Sequence, residues 1–382
     1  MSLIDSYDRT IDYLRVSVTD RCNFRCVYCM PEEGAPVASK FEILSYEEFE
    51  RLVRIAVELG MTKIRLTGGE PLVRKDIALL VQKIGAIPGI QDLSMTTNGF
   101  LLDRYVTEFA KSGLRRINIS LDTLRPERFA KIARRGDFAT VWAGIEAAQK
   151  AGLTPVKINC VVMRGWNDDE VVDFARLSLE SPFDIRFIEL MPINWSKGDD
   201  SASDMASLFA LSAPAGYQRK DQIALYARED SATFRTLFHQ KTEDEQRGQL
   251  DGAQMRRAFI STQELRERIE AELGTLEATE VITNGPAQSY RFPNAKGTVG
   301  FISQITNDMC LRCNRLRLTA EGQLRPCLMA DGEIDLRTPM RSGATDEQIA
   351  ELFRITVLHK PKEHRLEDGM APIGRNMSQL GG

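Results

Sequence analysis

From Tyr13 to about Leu190, short runs of alternating apolar and polar residues give way repeatedly to longer runs in which apolar residues recur every three or four positions. A period of two marks a strand with one buried face, and a period near 3.6 marks an amphipathic helix. The pattern predicts strands at Tyr13–Val18, Lys63–Thr67, Asp92–Thr97, Arg116–Leu121, Val156–Val162 and Asp184–Leu190. Helices are predicted over Ser45–Leu59, Ile77–Ile84, Asp103–Lys111, Phe138–Ala151 and Asp169–Leu177. The first helix is the best marked, with a capping box of Ser45 and Glu48, a stripe of Phe49, Leu52, Val53, Ala56 and Leu59, and Gly60 as its stop. Asn167 and Asp168 stand where they would cap the last. Strands and helices alternating at this spacing imply parallel strands joined by right-handed crossovers, in an open doubly wound sheet or an incomplete barrel.

The strand sequences favour the barrel. Arg116-Ile117-Asn118-Ile119-Ser120-Leu121 puts Ile117, Ile119 and Leu121 on one face and Arg116, Asn118 and Ser120 on the other, and four more strands alternate likewise. The apolar set meets the outer helices and the polar set faces inward, whereas strands buried on both faces would read as continuous Val, Ile and Leu. The interior is then a lined cavity. Half-solvated antiparallel strands share the period but fit poorly with a helix after each strand. The lining is cationic: Arg15, Lys63, Arg65, Arg116, Lys157 and, less cleanly, Arg186. Burying like charges without counterions is costly, and a bound polyanion removes the cost. Arginine forks suit phosphate oxygens, and lysine adds a point charge. One or two of these cations are expected to pair with Glu189 or a loop carboxylate.

Between about Asn194 and Phe259 the pattern fails, and the stretch reads as an excursion, a lid or a linker. Order returns at Ser261-Thr262-Gln263-Glu264, a second capping box, leading a helix to Gly274. Three units result: residues 1–193, the barrel; 194–259, an atypical insertion or linker; and 260–382, a C-terminal domain. A chain of 382 residues has room for both a barrel and a smaller domain. The net charge of −4 provides no global basic field for nucleic acid or an anionic membrane. No basic segment leads into an apolar run at the N-terminus, and no stretch of about 18 apolar residues occurs. The expected location is the cytoplasm.

Six of the seven cysteines fall in two groups, which argues for metal ligation in a reducing compartment rather than a disulfide framework. Cys160 reads as a core thiol. The first group, Cys22-Asn23-Phe24-Arg25-Cys26-Val27-Tyr28-Cys29, follows the first strand directly. Three thiolates can hold three irons of a [4Fe–4S] cube and leave the fourth open, an arrangement suited to the reductive cleavage of S-adenosylmethionine. Structural zinc is the alternative, but it favours Cys-x2-Cys pairs with a fourth ligand nearby, and His239, His359 and His364 are remote in sequence. Gly68-Gly69-Glu70-Pro71, Thr97-Asn98-Gly99, Asp122 and Met191-Pro192 likewise follow strands, at the end where barrels place active sites. The paired glycines are expected to admit a ligand to the backbone, exposing carbonyls and Glu70 to its ammonium.

The second group is Cys310-Leu311-Arg312-Cys313 with Cys327. It suggests a second [4Fe–4S] cluster with an open iron, with zinc using one borrowed ligand as the competitor. Arg315-Leu316-Arg317-Leu318 alternates as a strand with both arginines on one face, and Glu321-Gly322 is placed for a hairpin turn. An open iron beside two cations could hold a nucleobase or a carboxylate.

The first octet with Gly68-Gly69-Glu70-Pro71 resembles the radical S-adenosylmethionine (radical SAM) enzymes. Both cysteine groups, the Arg-x-Arg strand and the terminal Gly381-Gly382 together resemble the GTP 3′,8-cyclase family of molybdenum cofactor biosynthesis, over roughly residues 9–193 and 260–382; 194–259 departs from the usual family length. The resemblance implies an α/β fold: a partial (β/α)6 barrel of the TIM type with a smaller C-terminal α+β domain carrying the second cluster, commonly in a homodimer. It implies two [4Fe–4S] clusters, on Cys22, Cys26 and Cys29 and on Cys310, Cys313 and Cys327. Tyr28, Gly69, Ser120 and Met191 match S-adenosylmethionine contacts. Arg15, Arg65, Thr96, Lys157, Arg315 and Arg317 match GTP contacts, the last two with a catalytic role, and the Gly-Gly tail is similar to one that reaches the active site. The implied reaction is abstraction of the ribose 3′ hydrogen by a 5′-deoxyadenosyl radical, attack on guanine C8 and reduction to 3′,8-cyclo-7,8-dihydro-GTP. An external electron donor and delivery of the product to cyclic pyranopterin monophosphate synthase are implied as well. Two other classes compete: another radical SAM enzyme with an auxiliary cluster, such as a peptide-modifying one, and a non-catalytic metal- or RNA-binding module, which the acidic net charge disfavours.

Overall fold

All six strands expected before residue 190 form: β1 (Tyr13–Ser17), β2 (Lys63–Thr67), β3 (Asp92–Thr97), β4 (Arg116–Ser120), β5 (Lys157–Val162) and β6 (Asp184–Glu189). The structure, a computed structural model, describes residues 2–191, 250, 252–279, 285–306, 309–330, 332–364, 375 and 377–381. Most of the stretch 194–259, with Pro192 and Gly382, lies outside the described residues. The six strands are parallel and adjacent in chain order. Their apolar faces, including Val16, Leu66, Met95, Ile119, Ile158 and Phe187, join one core with Phe49, Leu52, Leu80, Phe109, Val141 and Phe174 of the surrounding helices. Each such side chain contributes about 1.5–3 kcal/mol by leaving water, so the alternating pattern fixes which face turns outward.

Downstream come β7 (Glu277–Ala278), β8 (Gln288–Arg291), β9 (Thr298–Ile302), β10 (Arg315–Leu318), β11 (Gln323–Arg325) and β12 (Ile334–Asp335). They make no separate sheet among the described residues. Instead β10 pairs parallel with β1 and β9 parallel with β6, giving the order β12-β11-β10-β1-β2-β3-β4-β5-β6-β9-β8-β7. The partial barrel is thus extended on both sides by the C-terminal region, and β10 turns back into β11 through Gly322, whose φ is +84°. No helix among the described residues is long and apolar enough to cross a membrane.

Helix ends differ in how far they follow the sequence signals. The helix Tyr46–Glu58 has the complete Ser45–Glu48 capping box. At Thr262–Leu273 only half of the expected box forms: Ser261 accepts from the Glu264 amide, while the Glu264 carboxylate turns to Arg164 and Arg268, 2.6 Å from each. Asn167 does not cap the helix Val171–Glu180; its side chain donates to the carbonyls of Asp122 (2.7 Å) and Val161 (2.9 Å). The helix Pro126–Ala133, not expected from the sequence, is opened by a proline whose missing N–H costs nothing there.

One carboxylate fastens the C-terminal region to the barrel. Glu189, at the end of β6 and 0 % exposed, accepts from the amides of Thr262 (3.1 Å), Ile305 (2.9 Å) and Thr306 (3.0 Å) and from both threonine hydroxyls. Glu189→Ala would strand three amide donors, so it is expected to lower unfolding stability by about 3 kcal/mol or more in urea titration, with Glu189→Gln between the two.

Candidate active site

The loop that carries Cys22, Cys26 and Cys29 has little regular structure, so neighbouring segments satisfy its backbone. The amides of Arg25 and Val27 donate to the carbonyls of Ala133 (3.0 Å) and Ile132 (3.1 Å), and Phe24 packs edge-on to Phe100 and Phe129. On the other side the amides of Gly69 and Glu70 donate to the carbonyls of Thr19 (2.7 Å) and Arg21 (2.8 Å). A Cβ at Gly68 would overlap the Thr19 carbonyl, and one at Gly69 the Arg21 carbonyl. On the Cβ side the paired glycines are therefore approached by the chain's own backbone just before the cysteine loop. The buried carboxylate of Glu70 turns inward, accepting from Thr97 Oγ1 (2.7 Å) and the amides of Asn98 (2.6 Å) and Leu72 (2.9 Å). Burial pushes it up to about 7.

Burial also pushes up the first three thiols, Cys22 to about 11, Cys29 to about 12 and Cys26 well above the ordinary range. Thiolates in this apolar shell need a metal charge to hold them deprotonated. Beside Cys26 lies a cavity lined by Tyr28, Asn98, Ser120, Asp122 and the rings of Phe24 and Phe129. The Tyr28 hydroxyl donates to Asp122 Oδ2 (2.9 Å), and Asp122 Oδ1 accepts from the Val161 amide (2.9 Å). Asp122, which burial pushes up to about 6, so ties the cysteine loop to β5. Of the four residues matched to S-adenosylmethionine, Tyr28 and Ser120 line this cavity. Gly69 abuts the cysteine loop, and Met191 packs on the apolar cluster of Ile305, Leu328, Met329 and Leu380.

On the inward face the register sets Arg317, Arg15 and Arg65 side by side across β10, β1 and β2, and Lys157 beside Asn118. All four cations are at most 8 % exposed. The rest of the expected cationic lining is engaged by carboxylates: Lys63 by Asp12, Arg116 by Asp92 and Arg186 by Asp184, each at 2.6 Å, with Lys157 3.9 Å from Asp184. Two of these acids lie on the strands themselves. Of the two kinds of partner expected from the sequence, the loop carboxylate is met by Asp12, while Glu189 serves backbone amides and threonine hydroxyls. Arg15 and Arg317 both donate to the Gly381 carbonyl, at 2.9 Å each. Arg65 donates to Ser94 Oγ and lies 5.3 Å from the Tyr13 ring centre. Burial and then the charge of Arg317 hold Arg15 well below the usual arginine range. Burial and Arg315 bring Arg317 down to about 9, and burial and Arg186 bring Lys157 down to about 6. Nearby, Thr96 Oγ1, Asn118 Oδ1 and Asn159 Oδ1 are buried without a hydrogen-bond partner among the described residues, as the wall of a polar ligand's site would leave them.

Cys310, Cys313 and Cys327 line one cavity with Arg315, Arg317 and His364. Burial opposes ionisation of Cys313, but the charges of Arg315 and Lys360 outweigh it and bring the thiol down to about 6. Sequence reasoning missed Arg9, whose guanidinium, held by Asp5 at 2.6 Å, donates to the carbonyls of Cys310 (2.6 Å), Pro361 (2.7 Å) and Lys362 (2.8 Å). An arginine in an N-terminal arm carries no signal of a partner 301 residues away. In the tail, the Ser378 amide donates to Cys29 while Gly381 reaches Arg15 and Arg317. The tail thus lies between the two cysteine groups. Among the described residues no three His, Cys, Asp or Glu side chains converge on one ion. Each iron of a cluster takes one thiolate, so three thiols around a cavity fit a cluster without converging on a point.

The profile of the Radical SAM superfamily matches residues 16–178, and that of Molybdenum Cofactor Synthesis C matches residues 242–366. The class is that of a radical SAM protein with an appended C-terminal unit. The chain is similar throughout to proteins named GTP 3′,8-cyclase from Moorella thermoacetica (43% identical, covering 99% of each chain), Heliobacterium modesticaldum (46%, 100% of each) and Desulforamulus reducens (42%, 100% of each). It belongs to the GTP 3′,8-cyclase family.

Because a Cβ at residue 69 meets backbone rather than a flexible side chain, Gly69→Ala is expected to displace the first cysteine loop. Iron bound after anaerobic reconstitution should fall by about half, with the second cysteine group still loaded.

Proposed function

We propose that the chain is a radical SAM GTP 3′,8-cyclase, converting GTP to (8S)-3′,8-cyclo-7,8-dihydroguanosine 5′-triphosphate. The observation that carries this reading is the buried cationic row of Arg317, Arg15 and Arg65, with Lys157, on strand faces between two cysteine groups. Cys22, Cys26 and Cys29 hold the first [4Fe–4S] cluster, and Cys310, Cys313 and Cys327 hold the second. When bound, the first cluster with S-adenosylmethionine would supply radical chemistry at the ribose, and the second cluster would supply an open iron beside the guanine.

The protein's own residues bind and orient. Tyr28 and Ser120 wall the S-adenosylmethionine site beside Cys26, with Gly69 and Met191 at its margins. Arg15, Arg65, Thr96 and Lys157 take the triphosphate and ribose end, and Arg315 and Arg317 hold the substrate against the second cysteine group. A guanidinium has five N–H donors, so the bond from Arg15 or Arg317 to Gly381 is compatible with phosphate contacts. Through that carbonyl the tail closes the space between the two cysteine groups and keeps water from it. Residues 1–193 form the radical SAM unit and 260–382 the auxiliary-cluster unit, with 194–259 joining them. The enzyme works as a cytoplasmic homodimer, draws on an external electron donor and passes its product to cyclic pyranopterin monophosphate synthase.

Anaerobic turnover with GTP deuterated at the ribose 3′ carbon should place deuterium in 5′-deoxyadenosine, read by mass. Unlabelled 5′-deoxyadenosine formed equally without GTP would point instead to another radical SAM substrate, such as a peptide. Arg317→Ala should lower product formation more than S-adenosylmethionine cleavage, and equal losses of both would count against its role at the substrate.

Lys157 yields a second measurement. With its ammonium brought down to about 6 in the ligand-free site, it is mostly neutral at pH 7.5 to 8, and a triphosphate beside it restores the charge. GTP binding should therefore take up a fraction approaching one proton, seen by calorimetry in buffers of different ionisation enthalpy. Affinity should fall as pH rises from about 6 toward the ordinary lysine range, and Lys157→Met should abolish the uptake.

A further inference from the structure

His364 was passed over in the sequence because it is far from every cysteine, yet it lines the cavity of Cys310, Cys313, Cys327, Arg315 and Arg317. Its Nε2 lies 3.1 Å from the Gln304 carbonyl oxygen. A carbonyl can only accept, so in the neutral ring Nε2 carries the proton and Nδ1 is left with a bare lone pair. That Nδ1 is buried and has no hydrogen-bond partner among the described residues. An unmatched buried acceptor costs about 1–3 kcal/mol, and a ligand with an N–H donor would remove the cost.

The segment is held in place from two sides. Arg9 joins the carbonyls of Pro361 and Lys362 to that of Cys310, and Lys360 donates to the carbonyls of Arg315 (2.9 Å) and Pro326 (2.6 Å). His364 is thus presented to the cavity by backbone clipped to the cysteine hairpin itself. The two arginines on the cavity wall can only donate. They suit the O6 and N7 acceptors of guanine but offer nothing to its N–H groups. The exocyclic 2-amino group, a donor, lies on the Watson–Crick edge at the far end from O6.

We infer that His364 is a specificity-determining residue whose Nδ1 accepts a hydrogen bond from the 2-amino group of the bound guanine, an inference that rests on the GTP reading above. The test is equilibrium binding of GTP and of inosine triphosphate, which is GTP without that amino group, to anaerobically reconstituted protein. Iron content and the electron paramagnetic resonance of the reduced clusters are followed in parallel. The unsubstituted protein should prefer GTP by about tenfold, the worth of one hydrogen bond. His364→Ala should lower GTP affinity to the level of inosine triphosphate while leaving the latter nearly unchanged, with iron and spectra intact. His364→Gln, which keeps an acceptor, should regain part of the preference. The inference is overturned if all three proteins show the same ratio, or if His364→Ala loses iron, which would make the histidine a support of the cluster instead. Equal binding of both nucleotides by the unsubstituted protein sinks this inference alone, whereas binding of neither sinks the GTP reading with it.

Discussion

Like charges buried in register are the constraint on which the rest of the molecule turns. Parallel pairing of β10, β1 and β2 aligns Arg317, Arg15 and Arg65, so the inward face cannot relax by moving one strand past another without breaking a ladder. Elsewhere on that face the chain supplies its own acids, Asp92 beside Arg116 and Asp184 shared by Arg186 and Lys157. Arg15 and Arg317 both donate to the carbonyl of Gly381. Holding cations side by side out of water costs stability, and the ladders on either side keep them there.

The two cysteine groups sit in contrasting electrostatic surroundings. The first is wrapped in aromatic and aliphatic side chains that disfavour the thiolate, and the second is flanked by Arg315 and Lys360, which favour it. Strong burial at the first group excludes water from reactive chemistry. Both groups are fixed by hydrogen bonds to distant segments, the first and the turn before it through backbone at residues 69–70 and 132–133 and the second through the guanidinium of Arg9. Neither loop has enough regular structure to hold its shape alone.

The barrel strands were legible because their period and composition are local properties, and each of the six appeared within a residue or two of its predicted ends. The cationic face was legible for the same reason. Its pairing was not: which cations find a carboxylate depends on which strands become neighbours, and Asp184 meeting Arg186 and Lys157 is a fact of register. That Glu70 and Glu189 gather backbone amides was not legible, because a glutamate beside a loop looks the same in sequence whatever donors it meets. Arg9 and His364 carried no signal, since their partners come from the opposite end of the chain or from segments of irregular structure.

The position of β10 has a consequence for how the chain is made. As a nascent polypeptide emerges, β1 is the first strand available, and β2 can pair with it early. Its other edge stays open until Arg315–Leu318 has been synthesised. Through that interval the barrel carries an unpaired backbone edge next to a positively charged face, a combination that invites premature association. The N-terminal barrel and the C-terminal region are therefore not modules that can be cut apart at the boundary between them. Completion of the second is what closes the edge of the first.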